Sequence, residues 1–193
     1  MNKPEIDPRL SLGFPALTGL FGGMIPGDNV VWNTDDVANF VPLAKRYVDG
    51  AKDSGKEVVY FRYGEHEALV ADESITTLQM NLDRGFEHFV TTIHRAIDAA
   101  QPNTYFLFDL LSSLTDRFIS ERMLGNFFSL ICPYIWDKQH FGYFAVLRNH
   151  HPYYAAFPIE DTTQILVDLF RNNGALYIHP KKVEYRESAA MFL

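Results

Sequence analysis

Runs of apolar residues divide the chain into short predicted strands that alternate with longer predicted helices. Four of these runs are largely apolar, and the continuous apolarity of the third indicates a strand that is buried on both faces of a sheet. They lie at about 29–33, 57–63, 105–109 and 141–147. The β-branched segment SITTLQM predicts a further strand after the second run.

The segments between these strands carry apolar residues at helical spacing. The series that predict helices are Val41, Ala44, Val48 and Ala51, then Phe86, Phe89, Val90, Ile93 and Ile97, and finally the segment SERMLGNFFSLICPYIW. For the first helix we predict Asn39 as the N-cap and Gly55 as the stop, with Pro42 tolerated only within the first turn. The segment HHPYYAAF is predicted to be a tyrosine-rich loop.

The last part of the chain alternates apolar and polar residues, which predicts two strands with a tight turn at the sequence NNG. Strands that alternate with helices favour a mainly parallel sheet with helices on both of its faces. We therefore predict a single α/β domain over residues 1–193, built in three layers, with a C-terminal antiparallel hairpin at the edge of the sheet.

Composition and charge narrow the possible partners. The chain is 47% hydrophobic and has a net charge of -7, with Lys and Arg scattered rather than clustered. A nucleic-acid partner is therefore not expected. The single cysteine, Cys132, suits a reducing compartment, and no apolar run reaches the ~20 residues that span a bilayer. We expect a cytoplasmic protein with no membrane partner.

In parallel sheets, ligands bind at the carboxyl ends of the strands, so polar residues directly after the predicted strands are the candidates for a site. These residues are Asp35, Asp36, Glu65, His66, Asp109, Arg148, His150 and His151. No three of them show the sequence spacing of a metal site, and no metal is predicted. Ser112 and Ser113 lack a G-x-S-x-G elbow, so no catalytic nucleophile is predicted either.

The N-terminal segment LSLGFPALTGLFGGMIPGDNVVW resembles the entry segment of the KaiC and RecA family of ATPases. The matching residues are Gly13, Leu17, Gly22, Gly23, Ile25, Pro26 and Gly27. The resemblance implies a RecA-like fold, which belongs to the P-loop NTPase type, and a phosphate loop of the form G-x-x-x-x-G-K-[ST] after the first strand. Here the corresponding segment is NTDDVANF, which contains neither glycine nor lysine.

The resemblance therefore implies a degenerate nucleotide site. Asp35 and Asp36 bring negative charge to the place of the phosphates. Glu65 matches the position of the carboxylate that orients water, and Asp109 matches the magnesium-linked position. We expect no Mg-ATP binding, no other cofactor and no catalytic residue in this domain.

Four segments carry a closer resemblance, namely GDNVVWNTDD, YFRYGEHE, DLLSSLTDRFISERMLGNFF and VLRNHHPYYAAFPI. Together they resemble the N-terminal KaiC-like domain of some bacterial phosphoenolpyruvate synthase and pyruvate, phosphate dikinase-like proteins. This resemblance implies that the chain is the N-terminal part of a longer protein. It also implies that the phosphotransfer domains of that protein are its partners.

Several alternatives stay open at this stage. Asp109 is either a relic metal ligand or a strand end that caps a turn. Arg148 either pairs with Asp109 or Glu65, or binds an anionic ligand in an altered pocket with Glu65, His66, Asp109 and His150. The corresponding functions are a regulatory or assembly domain without ATPase activity, a ligand-binding enzyme domain, and a freestanding signalling scaffold. A monomer or small homo-oligomer is expected.

Overall fold

The computed structural model describes Ile6 and residues 10–187, with only the backbone described at Arg117. The strands in this part of the chain are β1 (Asn29–Thr34), β2 (Val58–Arg62), β3 (Thr76–Gln79), β4 (Tyr105–Phe108), β5 (Phe141–Leu147), β6 (Ile165–Asn172) and β7 (Ala175–Val183). The α-helices are α1 (Pro15–Leu20), α2 (Val37–Asp53), α3 (Phe86–Ala99), α4 (Ser112–Arg117), α5 (Glu121–Asp137) and α6 (Tyr153–Thr162).

The strands form one seven-stranded sheet in the order β3-β2-β4-β5-β1-β6-β7. All neighbouring pairs are parallel except β6 and β7, which form an antiparallel hairpin at one edge. The predicted mainly parallel sheet and C-terminal hairpin are confirmed. One detail differs from the expectation, because β6 is itself parallel to β1 and only β7 reverses direction.

Helices cover both faces of the sheet, as the continuously apolar strands predicted. On one face, Phe40, Leu43 and Tyr47 of α2 pack with Trp32 and Tyr143 of the sheet. The opposite face is covered by buried residues of α3, α4, α5 and α6. This second set includes Phe89, Ile93, Leu114, Phe127, Phe128, Ile131 and Ile159. The two clusters are the physical reason for the three-layer arrangement.

The sequence at the two ends of α2, the helix that follows β1, explains where this helix begins and ends. Asp36, not Asn39, is the N-cap, and its carboxylate accepts a hydrogen bond of 2.8 Å from the Ala38 amide. The helix therefore begins earlier than predicted, and Pro42 lies inside it rather than in its first turn. At the other end, Gly55 has a φ of +64°, and the next amide bonds back to Ala51, which completes a Schellman stop.

Two other local predictions can be compared with the structure. The hairpin turn has Asn173 and Gly174 at φ values of +47° and +80°, as the sequence NNG predicted. The segment HHPYYAAF is not a loop throughout, because α6 begins at Tyr153. Only Ala155 and Ile159 of α6 are buried, so its apolar stripe is too short to stand out in the sequence.

Cys132 is buried in α5, and this burial raises the pKa of its thiol, which keeps the sulfur protonated and unreactive. Among residues 10–187, none of the helices has both the length and the apolarity that crossing a bilayer requires.

Candidate functional site

The carboxyl ends of β2, β3 and β4 border a cleft of about 850 Å³. Glu65 and His66 line it after β2, and Ser113 and Asp116 line it from α4. Val37, the first residue of α2, also reaches its wall. Such a cleft lies where open parallel sheets bind ligands, as predicted from the strand ends.

Asp109 lies beneath this cleft and is completely buried. One oxygen of its carboxylate accepts hydrogen bonds from the backbone amides of Tyr63 and Gly64, at 2.8 and 2.7 Å. The same oxygen forms an ion pair of 2.6 Å with the Arg62 guanidinium. The other oxygen accepts the hydroxyl of Tyr60. Asp109 therefore ties β4 to the end of β2.

The groups around Asp109 are held in the protonation states that favour these bonds. Burial, and then the nearby Asp109 carboxylate, raise the pKa of Tyr60, so its hydroxyl remains a donor. The same two causes raise the pKa of Tyr63, whose hydroxyl donates to the Asp109 carbonyl at 2.7 Å. Arg62 also donates to the carbonyls of Gly64 and His66, which shapes the loop that borders the cleft.

The Asp109 carboxylate is surrounded by protein donors. The carboxylate does cap a turn, as one interpretation held, but the turn follows β2 rather than Asp109's own strand. The lone pairs of its carboxylate oxygens face hydrogen-bond donors of the protein. A carboxylate that binds magnesium must instead direct a lone pair at the ion. His66 approaches the carboxylate only to 3.8 Å. Asp109 is thus a structural anchor in this arrangement.

The connection between β1 and α2 consists of Asp35 and Asp36 alone. Asp36 bonds to the first helical amides, through its side chain to Ala38 and through its carbonyl to Asn39. Asp35 accepts the Arg148 guanidinium at distances of 2.6 to 2.9 Å, which is a two-pronged contact.

Arg148 therefore pairs with Asp35 and not with Asp109. Its guanidinium also lies 5.2 Å from the centre of the Phe170 ring. Arg148 lines a second cavity, of about 370 Å³, so it is not brought together with Glu65 and His66 in the first cleft. His150 lies 3.9 Å from Asp116 at the surface. The residues predicted for one altered pocket are separated: Glu65 and His66 line the first cleft, Arg148 lines the second cavity, Asp109 is buried, and His150 lies at the surface.

Some residues and contacts of this region were not predicted from the sequence. Arg62 ends an otherwise apolar strand, and such a charge in a buried run is a signal that could have indicated a buried acidic partner. Ser112, His151 and Glu121 form a hydrogen-bonded chain whose members are far apart in sequence. Within the described residues, no group of three His, Cys, Asp or Glu side chains could hold a metal ion.

Replacing Asp36 with alanine should lower the free energy of unfolding by about 0.5–2 kcal/mol, because the Ala38 amide loses its cap. Asp36→Asn keeps an acceptor oxygen and should cost much less. Urea denaturation followed by circular dichroism measures both changes. Equal losses for the two variants would show that the charge of Asp36, rather than its cap, supports the helix.

Comparisons with known proteins place the fold. No family model matches the chain, and no curated protein matches it. A solved structure of a KaiC-like protein from the hyperthermophilic archaeon Pyrococcus horikoshii OT3 is similar, with a TM-score of 0.73 and 16% sequence identity. The match covers 96% of this chain and 92% of that one. The chain has a RecA-like fold of the kind seen in that KaiC-like protein.

Proposed function

We propose that this RecA-like domain is a pseudo-ATPase, which serves in regulation or assembly and neither binds nor hydrolyses Mg-ATP. The observation that carries the proposal is the connection of only two residues between β1 and α2. A phosphate loop needs enough backbone to curl around an anion, together with a lysine. Asp35 and Asp36 supply neither, so ATP does not fit the residues that are present.

The start of α2 supports the proposal electrostatically. A helix N-terminus attracts phosphate because its first amides lack partners. Here the Asp36 carboxylate accepts from the Ala38 amide, and the Asp36 carbonyl accepts from the Asn39 amide, so both amides already have an acceptor within the chain. A phosphate brought within about 4 Å of Asp36 would meet a repulsion of about 1–4 kcal/mol.

The surroundings of Asp109 support the same proposal. In nucleotide sites, Mg²⁺ is held through one or two carboxylates and the phosphates. Asp109, at the position that the family resemblance links to magnesium, is surrounded by Arg62, Tyr60 and two backbone amides. A cation at Asp109 would have to displace the Arg62 guanidinium.

The biological setting of the domain is part of the proposal and rests on the sequence resemblance alone. We propose attachment to a phosphoenolpyruvate synthase or pyruvate, phosphate dikinase-like phosphotransfer enzyme in the cytoplasm. The partners are then the phosphotransfer domains of the parent chain, with a monomer or a small homo-oligomer as the assembly. The native reading frame beyond Leu193 tests this attachment and separates it from a freestanding signalling scaffold.

Titration of the 193-residue chain with Mg-ATP should give no saturable heat in calorimetry and no rise in melting temperature. A Kd below about 100 μM would stabilise the fold by roughly 1.4 kcal/mol at 1 mM ATP, which a melting curve detects. A RecA-like ATPase with an intact phosphate loop is the positive control. Saturable binding at that level would overturn the pseudo-ATPase proposal.

A second candidate function is ligand binding in the cleft of about 850 Å³, which Glu65 and His66 line. The size and the location at the strand ends favour this candidate. If ATP or another nucleotide bound, Glu65→Gln and His66→Ala would show whether this cleft holds it. Loss of binding in these variants, but not in Arg148→Ala, would favour the ligand-binding domain over the pseudo-ATPase.

A further inference from the structure

The outward side of α6 carries a cluster of exposed aromatic side chains. Tyr153, Tyr154 and Phe157 are 76%, 59% and 46% exposed. Their spacing of three and four residues places them on one side of the helix, opposite the buried Ala155 and Ile159. The centres of the Tyr153 and Phe157 rings lie 5.4 Å apart. We call these three residues the aromatic face of α6.

Close packing beneath α6 holds the aromatic face in place. Gly125 of α5 lies directly against α6, where a Cβ atom would come within 3.3 Å of the Ala155 carbonyl oxygen. Further along the same two helices, Sγ of Cys132 donates to the Thr162 carbonyl at 3.2 Å. The aromatic side chains therefore stand on a fixed support, and a partner would find this face already formed.

The exposed aromatic area is large enough to form the centre of a protein interface. A buried aromatic side chain covers about 150–250 Å², so the exposed parts of these three correspond to roughly 300–400 Å². A standard interface buries about 800 Å² on each partner, with aromatic residues enriched at its centre and a polar rim around them. The aromatic face thus supplies about half of one side of such an interface.

The charges along α6 favour a second copy of the chain as the partner. Asp161 is exposed and lies four residues after Phe157, so it borders the aromatic face at the negative end of the helix dipole. At the positive end, the N-cap is Pro152, whose side chain has no acceptor for the first amides. In two antiparallel α6 helices, each Asp161 would lie near the uncapped start of the other helix.

The cations near this end of α6 are engaged elsewhere. The Lys182 ammonium binds the backbone carbonyls of Glu160 and Asp161, and its ion pair of 3.0 Å is with Glu184. Glu160 itself lines the cavity of about 370 Å³, whose wall also contains Lys181. Asp161 is therefore the carboxylate that α6 offers to a second copy.

The two edges of the sheet are less suited to joining two copies. One edge strand, β3, is only four residues long. The other, β7, contains Pro180, which has no amide hydrogen to donate, followed by Lys181 and Lys182. Short strands, proline and lysine all protect a sheet edge from pairing with another chain.

We propose that two copies of the chain form a dimer in which their aromatic faces pack antiparallel about a two-fold axis near Phe157. Phe157 of one copy then contacts Phe157 of the other, and Tyr153 of each copy lies beside Asp161 of the other. Both copies use the same surface, as an isologous interface requires. This dimer is one form of the small homo-oligomer proposed above, and it is independent of ATP binding because none of these residues belongs to the β1–α2 connection.

Sedimentation velocity of the 193-residue chain tests the dimer. A series from about 1 to 300 μM covers dissociation constants at the micromolar end of the range for interfaces of this size. We expect the mass to rise with concentration from 22.1 kDa towards twice that value. A monomer at every concentration would overturn the proposal and would leave the aromatic face to a different domain of the parent chain.

Phe157→Glu should raise the dissociation constant at least about 100-fold, because it places two like charges opposite each other across the axis. Tyr185→Glu is the matched control, since Tyr185 is 50% exposed and its ring contacts one neighbour, Trp136, at 5.1 Å. This control should dimerise like the wild type. Tyr153→Glu provides a second variant at the most exposed position, and melting curves show that each variant is folded.

A dimer that persists in both Phe157→Glu and Tyr153→Glu would overturn the proposed interface. Cysteine crosslinking then tests the orientation of the helices. Chains with Tyr153→Cys and chains with Asp161→Cys should crosslink to each other when mixed and oxidised, and little to themselves. The native Cys132 is buried and should not interfere. Crosslinks that join residue 153 to residue 153 would contradict the antiparallel packing.

Discussion

Replacing Asp109 with alanine should lower the free energy of unfolding by about 3–5 kcal/mol, the range for removing one partner of a buried ion pair. The loss is large because Tyr60 and the amides of Tyr63 and Gly64 lose their acceptor, and Arg62 loses its counter-charge. Such a loss is a large part of the roughly 5–15 kcal/mol that stabilises a typical domain. Urea denaturation followed by tryptophan fluorescence measures it.

Asp35→Asn is the control for this experiment. Asp35 also pairs with an arginine, but its side chain is 46% exposed, so the loss should stay within about 1 kcal/mol. Asp109→Asn can keep an oxygen towards the amides of Tyr63 and Gly64 but loses the charge that pairs with Arg62, so its loss should lie between those of the wild type and Asp109→Ala. If Asp109→Ala cost no more than Asp35→Asn, the buried anchor described for Asp109 would be wrong.

Replacing Arg186 with methionine should also lower the free energy of unfolding by about 3–5 kcal/mol. Arg186 and Asp28 are both buried, and the guanidinium binds the Asp28 carboxylate through two nitrogens. It also donates to the Gly23 carbonyl at 2.8 Å, which joins the segment after β7 to the segment before β1. Methionine would leave the Asp28 charge buried without its counter-charge.

The loss in Arg186→Met should depend on pH with a definite sign. Burial raises the pKa of Asp28 above 3.8 even though Arg186 acts to lower it, and removing Arg186 raises this pKa further. A carboxyl with a raised pKa contributes stability at low pH, and the contribution is lost as the pH rises through the folded-state value. The variant should therefore be less destabilised at about pH 5 than at about pH 8.

A double variant tests the origin of this loss. In Asp28→Leu with Arg186→Met, no buried charge remains, so much of the stability lost in the single variant should return. Denaturation of both single variants and the double variant completes the cycle. A double variant as unstable as the sum of the singles would mean that Asp28 and Arg186 act independently, which their contact distance argues against.

Local patterns in the sequence were sufficient to predict the architecture. The strands β2, β4 and β5 are apolar at nearly every position, and β1 has the apolar centre Val30, Val31 and Trp32; such runs are typical of sheets that are covered on both faces. The hairpin was predictable because Asn173 and Gly174 accept positive φ. Short helices were harder, since α6 buries too few side chains to produce a clear period.

The candidate site could be predicted in place but not in its pairings. The strand ends indicated which residues would gather at one edge of the sheet, and Glu65 and His66 do line a cleft there. Which carboxylate pairs with which arginine depends on the order of the strands and on the length of the side chains. The spacing of residues along the sequence predicts neither of these pairings. Arg148 therefore pairs with Asp35 across neighbouring strands, while Asp109 is held by Arg62.

The position of β1 has a consequence for how the chain is made. β1 is an interior strand of the sheet, yet both of its neighbours, β5 and β6, come much later in the sequence. During synthesis on the ribosome, Val30, Val31 and Trp32 emerge long before Tyr143 and Leu166 exist to cover them. The nascent chain must therefore carry an unpaired apolar strand until most of the domain has been translated, which is the condition under which chaperones bind.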